Sequence, residues 1–322
     1  MRSLPSDDPA TVAAPAILVE DLCKRYGALR AVDGLSFRVE RGEIYALLGP
    51  NGAGKTTTVE ILEGHRRHTS GLVRVLGRDP FRGGRRLRER VGIVLQSGGL
   101  DGELTVAELV ALYASFYARP RDVTDTIDQV GLTDKRRART RTLSGGHLRR
   151  LDLALALVGD PELIFLDEPT IGFDPTARRG AWEMIGRLRG LGKTVLLTSH
   201  YLDEVQQLAD RVGVLSHGRL IAESAPAALG GRDTDETTIH FRLPGPAALA
   251  DLPAGPWRAT QCHGDQIAMR TDHPTRALLT LTAWAVGRGE ELESLIVQRP
   301  SLEDAYLRLT RDADHVGDHD ED

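Results

Sequence analysis

Apolar and polar residues follow two different rhythms in the first two thirds of the chain. The segments ILVEDLCKRY and RAVDGLSFRVE alternate apolar and polar positions, which is typical of half-buried antiparallel strands. The segments IYALL, LIFL and TVLLTS are short unbroken apolar runs, which are typical of buried parallel strands. This combination predicts an α/β core that contains both kinds of strand.

Helical spacing of apolar residues occurs in three stretches, 106–118, 147–158 and 178–189. The first two belong to a helical insertion that we place at about 97–158. Downstream, the dipeptide His217–Gly218 stands between RVGVLS and RLIAES, so a hairpin turn is predicted there.

The final third of the chain has a different organisation. TTIHFRL, RATQC, QIAMRT and LESLIVQ predict strands, PTRALLTLTAWAVGRG predicts a helix ended by glycine, and PSLEDAYLRLT predicts a last helix that Pro and Ser begin. We therefore expect a main domain at 16–226, a linker at 227–234 and a small α+β domain at 235–310. Residues 1–15 and the acidic residues 311–322 are expected to be disordered tails.

Composition and charge exclude several classes of protein. The net charge of -5 arises in the last twelve residues, which hold six acids and one arginine, so the rest of the chain is neutral and favours no nucleic-acid partner. The two cysteines, Cys23 and Cys262, form no CxxC pair and suit a reducing compartment. No apolar run approaches the ~20 residues that span a bilayer, and the start of the chain lacks the apolar core of a signal peptide, so a cytoplasmic location is expected.

A complete GxxxxGKT motif follows the predicted strand IYALL and precedes a helical pattern, which is the setting of a phosphate-binding loop. Its glycines let backbone amides turn toward phosphates, Lys55 would reach the β- and γ-phosphates, and the Thr56 hydroxyl would hold Mg²⁺. The alternative, a glycine-rich turn with an incidental lysine, does not account for the whole motif. The loop comprises Gly49, Pro50, Asn51, Gly52, Ala53, Gly54, Lys55, Thr56 and Thr57.

Acidic residues close the strand LIFL, about a hundred residues after the loop. Asp167 is predicted to bind Mg²⁺, directly or through water, and Glu168 to take a proton from attacking water. An acidic pair after a strand is more often a solvated loop or a helix cap, and the preceding phosphate loop is what favours catalysis. His200 ends TVLLTS at the sheet edge where ligands collect in α/β proteins, and Gln96 ends RVGIVLQ in the same way.

A second phosphate-binding device is predicted at the start of another helix. The apolar positions of the stretch 147–158 are preceded by Ser144, Gly145 and Gly146. At the N-terminus of the predicted helix, the serine hydroxyl and the unpaired backbone amides could therefore bind an anion. The phosphate loop and this second phosphate-binding device seldom bind the same phosphate within one subunit. A head-to-tail homodimer, in which each mouth closes the other subunit's nucleotide site, uses both.

Together these motifs resemble the ATP-binding cassette (ABC) ATPases over residues 16–226. The resemblance rests on GPNGAGKTT, the glutamine at 96, LSGGH, LIFLDEP, FDP at 173–175 and TSH in that order. It implies a P-loop, RecA-like core with an antiparallel β subdomain and a helical subdomain, and two Mg-ATP molecules between two subunits. It further implies that Tyr26 stacks on adenine and that Gln96 acts in catalysis, takes part in the Mg²⁺ site and links that site to a partner. It implies that Asp174 crosses the interface, that His200 contacts the γ-phosphate, and that the signature Ser144, Gly145, Gly146 and His147 contacts the ATP of the other subunit.

The chain departs from this family at His147, where the family usually has glutamine. A neutral imidazole keeps one donor and one acceptor, so we expect ATPase activity to be retained. Slower or pH-sensitive turnover, and a degenerate regulatory ATP-binding module, are the alternatives that this substitution leaves open.

The segment PSLEDAYLRLT resembles the ending of ATPases from daunorubicin/doxorubicin-type drug exporters, although it also fits a plain amphipathic helix. The resemblance implies a homodimer on the cytoplasmic face of the cell membrane, below a separately encoded transmembrane permease. Leu104, Val106, Leu109 and Tyr113 are candidates for the permease groove or for an internal core. A soluble ABC protein that acts on ribosomes or DNA is the rival, but the chain has one cassette and no long coiled coil.

Overall fold

The computed structural model describes residues 14–94, 100–229, 237–242, 251–263, 266–298, 302–303, 306–307 and 309–310. The chain divides into two compact units, residues 1–225 and 226–322. The strands are β1 (Ile17–Tyr26), β2 (Leu29–Val39), β3 (Ile44–Leu48), β4 (Ser70–Val75), β5 (Val91–Val94), β6 (Leu163–Asp167), β7 (Thr194–Ser199), β8 (Arg211–Ser216), β9 (Arg219–Ser224), β10 (Thr237–Arg242), β11 (Ala259–His263), β12 (Gln266–Thr271) and β13 (Glu293–Gln298). The helices are α1 (Lys55–Leu62), α2 (Gly84–Arg88), α3 (Val106–Ala114), α4 (Val123–Gln129), α5 (Gly145–Leu157), α6 (Pro175–Gly190), α7 (Leu202–Leu208) and α8 (Pro274–Gly287).

The alternating segments form an antiparallel sheet in the order β2-β1-β4. In β2 the buried residues Leu35, Phe37 and Val39 alternate with the exposed Ser36 and Arg38, so one face of the sheet packs on the core and the other meets solvent. The prediction of half-buried antiparallel strands is confirmed.

The unbroken apolar runs form the centre of a second, six-stranded sheet in the order β5-β6-β7-β3-β8-β9. The first five strands are parallel, and β9 pairs antiparallel with β8 through the predicted hairpin at His217 and Gly218. All five residues of β3 are buried, since β7 and β8 flank it. In the parallel register Leu48 lies beside Ser199, and Asp167 beside Thr198, so the loops after β3, β6 and β7 leave from the same edge.

Helices α3, α4 and α5 form the insertion between β5 and β6, as the helical spacing predicts. A capping box joins Thr105 and Glu108 at the start of α3. The predicted helix at 106–118 is shorter in the structure and ends at Ala114. The reason is a change of hydrogen bonding: the amides of Phe116 and Tyr117 bond three residues back, as in a turn.

The second unit contains an antiparallel sheet in the order β11-β12-β10-β13. Its core consists of sheet residues and one face of α8, with Ile239, Phe241, Ile267, Met269, Ala277 and Leu281 buried together. The predicted strands and the helix that follows β12 are confirmed. Of the predicted last helix, residues 302–303, 306–307 and 309–310 are helical, and the other residues lie outside the described part of the chain.

The predicted tails at 1–15 and 311–322 and the linker at 227–234 lie largely outside the described residues, so their disorder stays a prediction. Within the ranges that the structure does describe, no helix is long and apolar enough to cross a membrane.

Candidate functional site

The loop between β3 and α1 is built so that only glycine fits at two of its positions. A Cβ atom at Gly49 would lie 2.5 Å from the carbonyl oxygen of Leu215, and one at Gly54 would lie 2.5 Å from that of Ala31. Gly54 also has φ 100°, a left-handed conformation that side chains disfavour. The loop therefore turns tightly into the start of α1, and the N-terminus of a helix is a position at which backbone amides can bind an anion.

Among the remaining loop residues, one is buried and stabilises the loop, and the others are exposed or half-buried. Ala53 is buried, and its amide donates to the carbonyl of Pro50 at 3.2 Å. Asn51, Gly52 and Thr56 are exposed, so the Thr56 hydroxyl is accessible at the mouth of α1. Thr57 is half-buried beside them.

Lys55 is the buried cation of this loop, with 7% of its side chain exposed. Its Nζ donates to the carbonyl oxygens of Gly49 at 2.6 Å and Pro50 at 3.1 Å, and lies 3.9 Å from Oε1 of Glu168. Burial lowers the pKa of the Lys55 ammonium, and the charges of Glu168 and Asp167 oppose that shift. The structure thus brings the loop lysine against the predicted acidic pair.

One threonine hydroxyl fixes both acidic residues. Oγ1 of Thr198, which is fully buried on β7, donates to Oδ1 of Asp167 at 2.5 Å and accepts from the backbone amide of Glu168 at 3.1 Å. Glu168 itself has φ 48°, in the left-handed region. The sequence did not single out Thr198, because a threonine in a strand is an ordinary β-branched residue.

Glu168 and His200 are in direct contact. Nδ1 of His200 lies 2.7 Å from Oε2 of Glu168, while the other carboxylate oxygen faces Lys55. The Glu168 side chain is 11% exposed and that of His200 is 35% exposed, so the pair stands between the interior and the opening. Lys55 at the start of α1, Glu168 after β6 and His200 after β7 therefore meet at one point.

The oxygen donors at this edge suit a magnesium ion. Thr56 offers an accessible hydroxyl, and Asp167 a carboxylate already oriented by Thr198. Mg²⁺ prefers hard oxygen ligands and commonly takes only one or two from the protein, with phosphate and water as the rest. No group of three or more His, Cys, Asp or Glu that could hold a metal occurs in the described ranges. The chemistry of the donor set fits an ion that arrives with a nucleotide.

The predicted second phosphate device lies at the start of α5. Ser144 is the N-cap, and its hydroxyl accepts from the amide of His147 at 3.4 Å while lying 2.8 Å from Nδ1 of the same residue. Ser144 and Gly145 are exposed, and a Cβ atom at Gly145 or Gly146 would meet nothing within 4 Å. A cleft of about 180 Å³ runs from this mouth to Phe173 and the side of α6.

Arg149, one turn into α5, connects this helix to the acidic strand. Its Nη2 donates to the carbonyl of Asp167 at 3.2 Å and its Nε to that of Pro169 at 3.1 Å. Burial lowers the pKa of its guanidinium, and nearby carboxylates, Asp152 foremost, oppose the shift. Sequence reasoning missed Arg149, because the run Arg149–Arg150 has the pattern of a solvated helix face.

A buried carboxyl group supports the loop after Glu168. Glu204, on α7, is fully buried and accepts from the Thr170 hydroxyl at 2.8 Å and from Nε1 of Trp182 at 3.2 Å. Burial raises its pKa despite these donors and a serine on β7, Ser199. Glu204 was also missed, since an acid in a helical pattern is expected on the surface.

Three further candidates have different outcomes. The Tyr26 ring is 39% exposed, with Lys24 Nζ at 5.0 Å and Arg66 Cζ at 5.3 Å from its centroid. Asp174 is the N-cap of α6 and accepts from the amides of the second and third residues after it, at 2.9 and 3.0 Å. Gln96 lies outside the described residues. The roles of these three residues stay predictions.

A glycine loop with a buried lysine, an acidic pair on a neighbouring parallel strand and a histidine on the next strand define a P-loop nucleotide-binding cassette. The exposed Ser-Gly-Gly helix start in the insertion adds the feature that distinguishes one class of these cassettes. The chain belongs to the ABC transporter family.

The comparisons with known proteins support this assignment along most of the chain. The family model described as ABC transporter matches residues 32–171, and the model described as ABC transporter domain-containing protein-like, C-terminal domain, matches residues 237–301. The Nod factor export ATP-binding protein I of Burkholderia orbicola is 40% identical over 293 residues, 89% of this chain and 94% of that protein. The daunorubicin resistance ATP-binding protein DrrA3 of Streptomyces coeruleorubidus is 39% identical over 313 residues, 94% of this chain and 98% of that protein.

Solved structures agree on the fold over about two thirds of the chain. The cbiO1 protein from Clostridium perfringens, part of the ABC transporter complex cbiONQ, is 30% identical with a TM-score of 0.62, and the match covers 66% of this chain and 89% of that chain. A dimeric ATP-binding cassette bound to ADP and Pi has a TM-score of 0.57 at 22% identity, with 65% of this chain and 98% of that chain covered, and shows the fold alone. The predicted ABC ATPase fold is confirmed, and the chain is an ATP-binding ATPase subunit of an ABC exporter.

Proposed function

We propose that this protein works as a homodimer on the cytoplasmic face of the cell membrane, where Mg-ATP hydrolysis drives export through a separately encoded permease. The observation that carries the proposal is the meeting of Lys55, Glu168 and His200 at one sheet edge, with a second phosphate-binding helix mouth at Ser144. The relatives named for Nod factor export and daunorubicin resistance support the direction of transport.

Within one subunit, the loop Gly49–Thr57 would surround the phosphates, with Lys55 on the β- and γ-phosphates. Lys55 is held by backbone carbonyls at 2.6 and 3.1 Å, and a phosphate would replace these neutral acceptors with charged ones. Thr56 and Asp167 would hold Mg²⁺. When bound, this ion neutralises charge on the phosphates and fixes their orientation.

Glu168 is the proposed base for the attacking water. Its carboxylate is oriented at both oxygens, by His200 and by Lys55, while its backbone is fixed by Thr198. One carboxylate oxygen would take the proton of a water that attacks the γ-phosphorus in line with the leaving ADP. His200 would hold the carboxylate and contact the γ-phosphate through the rest of its ring.

The second phosphate device argues for two subunits. Ser144, Gly145 and Gly146 present a hydroxyl and backbone amides to the surface, while the subunit's own phosphate loop is complete without them. In a head-to-tail homodimer this mouth would cover the γ-phosphate held by the other subunit. Asp174 and Gln96 would then lie at the interface and at the link to the permease, and Tyr26 would stack on adenine.

The proposed groove for the permease is a cavity between the core and the helical insertion. A cavity of about 230 Å³ is lined by Tyr113 and Tyr117 from one side and by Glu63 and Val91 from the other. Of the residues predicted for this groove, Val106 and Leu109 are buried in the helical core, because they form the inner face of α3. Tyr113 remains as a candidate contact, with the half-buried Leu104.

The first test uses Glu168→Gln, which removes the proposed base and keeps the size of the side chain. The purified variant should be a monomer without nucleotide at low micromolar concentration and a dimer with Mg-ATP, as measured by light scattering, with ATPase activity reduced by a factor on the order of 10² or more. Glu183→Gln, on the exposed side of α6, is the matched control and should behave as wild type. Near-normal ATPase activity in Glu168→Gln would contradict the assigned base.

The exporter assignment has a separate test. Co-expression with a candidate ABC-exporter permease from the same organism should give a membrane-bound complex whose ATPase activity rises with transport cargo, and Lys55→Ala should abolish that activity while the complex still forms. Co-purification with ribosomes or DNA in place of a membrane protein would support the rival function.

A further inference from the structure

Strand β13 has an unusual exposure for a strand at the edge of a sheet. All six of its residues are exposed, and three of them are large and apolar: Leu295 at 38%, Ile296 at 53% and Val297 at 43%. β13 pairs with β10 on one side, and in the described part of the second unit no strand pairs with its other side. A row of backbone donors and acceptors is therefore accessible next to apolar side chains.

The apolar residues of β13 occupy both faces of the sheet. Val297 pairs with the buried core residue Ile239, so Val297 and Leu295 lie on the face that α8 covers. Ile296 pairs with His240 and lies on the opposite face. Natural edge strands usually carry charges or proline, whereas strands that are apolar on both faces are typical of the interior of a sheet. β13 thus has the composition of a central strand in an edge position.

We propose that β13 pairs antiparallel with β13 of a second copy of this chain, about a two-fold axis centred on Ile296. The pairing joins two four-stranded sheets into one sheet of eight strands. Ile296 then lies opposite its own equivalent, and Leu295 lies opposite Val297 of the partner subunit, with each pair on a single face. This contact goes beyond the proposed function, because it needs no nucleotide.

Self-complementarity is the reason to choose a second copy as the partner. A two-fold contact must match a surface to itself, and the triplet Leu295–Val297 matches its own reversed copy in size and polarity. Within the strand, the apolar triplet is flanked by the polar residues Ser294 and Gln298. An antiparallel copy therefore places apolar residues against apolar residues, with polar residues at both ends of the pairing.

A backbone irregularity limits the paired region. Ser294 has φ 52°, and the register with β10 shifts between His240 and Arg242, as at a β-bulge. The bulge precedes the apolar triplet, so Leu295 to Gln298 remain regular and available. An interface of this length is small, and we expect a weak dimer that depends on protein concentration.

The test measures mass by light scattering on the full chain without nucleotide, over a range from about 1 to 200 μM, where small interfaces begin to associate. Wild type should change from monomer to dimer across this range. Ile296→Lys should stay monomeric, because two lysines would face each other at the axis, and its exposed position leaves the fold intact. The matched control is Leu279→Lys on α8, a more exposed leucine at 69%, which should dimerise as wild type does.

Cross-linking locates the contact. With Cys23 and Cys262 replaced by serine, Ile296→Cys should form a dimer with a short bis-maleimide, with or without ATP and also in combination with Lys55→Ala. Val286→Cys, on α8 and 71% exposed, should not. A monomer at all concentrations together with no Ile296→Cys cross-link would overturn the proposal, as would cross-linking only when ATP or the permease is present.

The two dimers are separable by experiment. Ile296→Lys combined with Glu168→Gln should still dimerise when Mg-ATP is added, because the proposed cassette contact is made by the phosphate loop and Ser144 of the first unit. If the nucleotide-free dimer forms but ATP has no effect, the proposed cassette mechanism fails and the β13 contact stands. The converse result overturns the β13 contact alone.

Discussion

The hydroxyl oxygen of Ser144 lies 2.8 Å from Nδ1 of His147, one helical turn away. The residue that departs from the usual signature thus contacts the serine that the family pattern shares. If Nδ1 carries the hydrogen, the serine hydroxyl remains able to donate to a phosphate. If Nδ1 is bare, the hydroxyl hydrogen is drawn to the ring. His147 therefore controls where the serine hydrogen points.

Replacing His147 tests this control. In the Glu168→Gln background, His147→Ala should weaken the Mg-ATP-dependent dimer by about 3- to 10-fold, since one net hydrogen bond is worth about 1 kcal/mol. His147→Gln restores a side chain that can both donate and accept, so its dimer should be at least as tight as wild type. Dissociation constants from concentration-dependent light scattering measure both. An alanine variant that dimerises more tightly than wild type would show that the imidazole obstructs the site.

Thr198→Val should impair catalysis through the two acids that this hydroxyl fixes. The variant leaves Oδ1 of Asp167 and the amide of Glu168 without this partner, so ATPase activity should fall by about 10-fold or more and the Mg²⁺ concentration for half-maximal activity should rise. The buried, unpaired groups should lower the free energy of unfolding by about 1–3 kcal/mol.

The matched control for this variant is Thr194→Val on the same strand. Thr194 is also buried, and its hydroxyl accepts from the amide of Gly42 at 2.9 Å, at the opposite end of β7. It should lose comparable stability without any change in Mg²⁺ requirement. An equal rise in Mg²⁺ requirement for both variants would count against a specific role for Thr198.

Glu63 predicts a pH dependence of stability. Burial, with the neighbouring charges of Asp167 and Glu60, raises the pKa of the Glu63 carboxyl to about 8, and only 3% of the side chain is exposed. Since the unfolded group titrates near 4.5, the folded state binds more protons between about pH 4.5 and 8, and stability falls as pH rises through this window. Glu63→Gln should remove this loss and raise the free energy of unfolding by about 4 kcal/mol at pH 8 and by less than about 1 kcal/mol at pH 5.

Urea unfolding at the two pH values measures the effect of Glu63→Gln. Glu89→Gln, which removes a partly exposed carboxylate paired with Arg85 at 2.7 Å, is the control and should change stability by less than about 1 kcal/mol at either pH. A pH-independent effect of Glu63→Gln would show that the carboxyl does not titrate in this range.

Arg149→Lys should separate nucleotide binding from hydrolysis. A lysine cannot reach both the Asp167 and Pro169 carbonyls with one planar group, so the link between α5 and the acidic strand is weakened. We expect ATP affinity within about 2-fold of wild type and kcat lowered by about 5- to 20-fold. Arg150→Lys, whose native guanidinium donates to the carbonyl of Gly131 at 3.3 Å, is the matched control. A loss of ATP affinity equal to the loss of kcat would instead indicate damage to the whole site.

The sequence predicts the parts of the site that come from strand ends and glycine loops. Lys55, Asp167, Glu168 and His200 all follow apolar runs, and parallel strands must place their carboxyl ends together. The alternation of β1 and β2 predicts their sheet for an equally simple reason, because one face must be buried.

The sequence cannot predict groups that act through tertiary contacts. Thr198 has the pattern of a strand residue, Arg149 that of a helix surface, and Glu204 that of a solvent-facing acid, yet each is bound to its partner only after the chain folds. Val106 and Leu109 were candidates for a permease contact, and the structure buries both in the protein's own core. An apolar helix face in the sequence does not reveal whether a partner protein or the protein's own core covers it.

The left-handed backbone conformation of Glu168 affects any attempt to raise the thermal stability of this protein by substitution. At φ 48° a residue with a full side chain is held at a cost of about 1–2 kcal/mol, and glycine would relieve most of it. A screen for variants with a higher melting temperature would therefore favour Glu168→Gly, although this substitution removes the proposed base. At the φ angle of this one residue, selection for stability and selection for ATPase activity favour different amino acids.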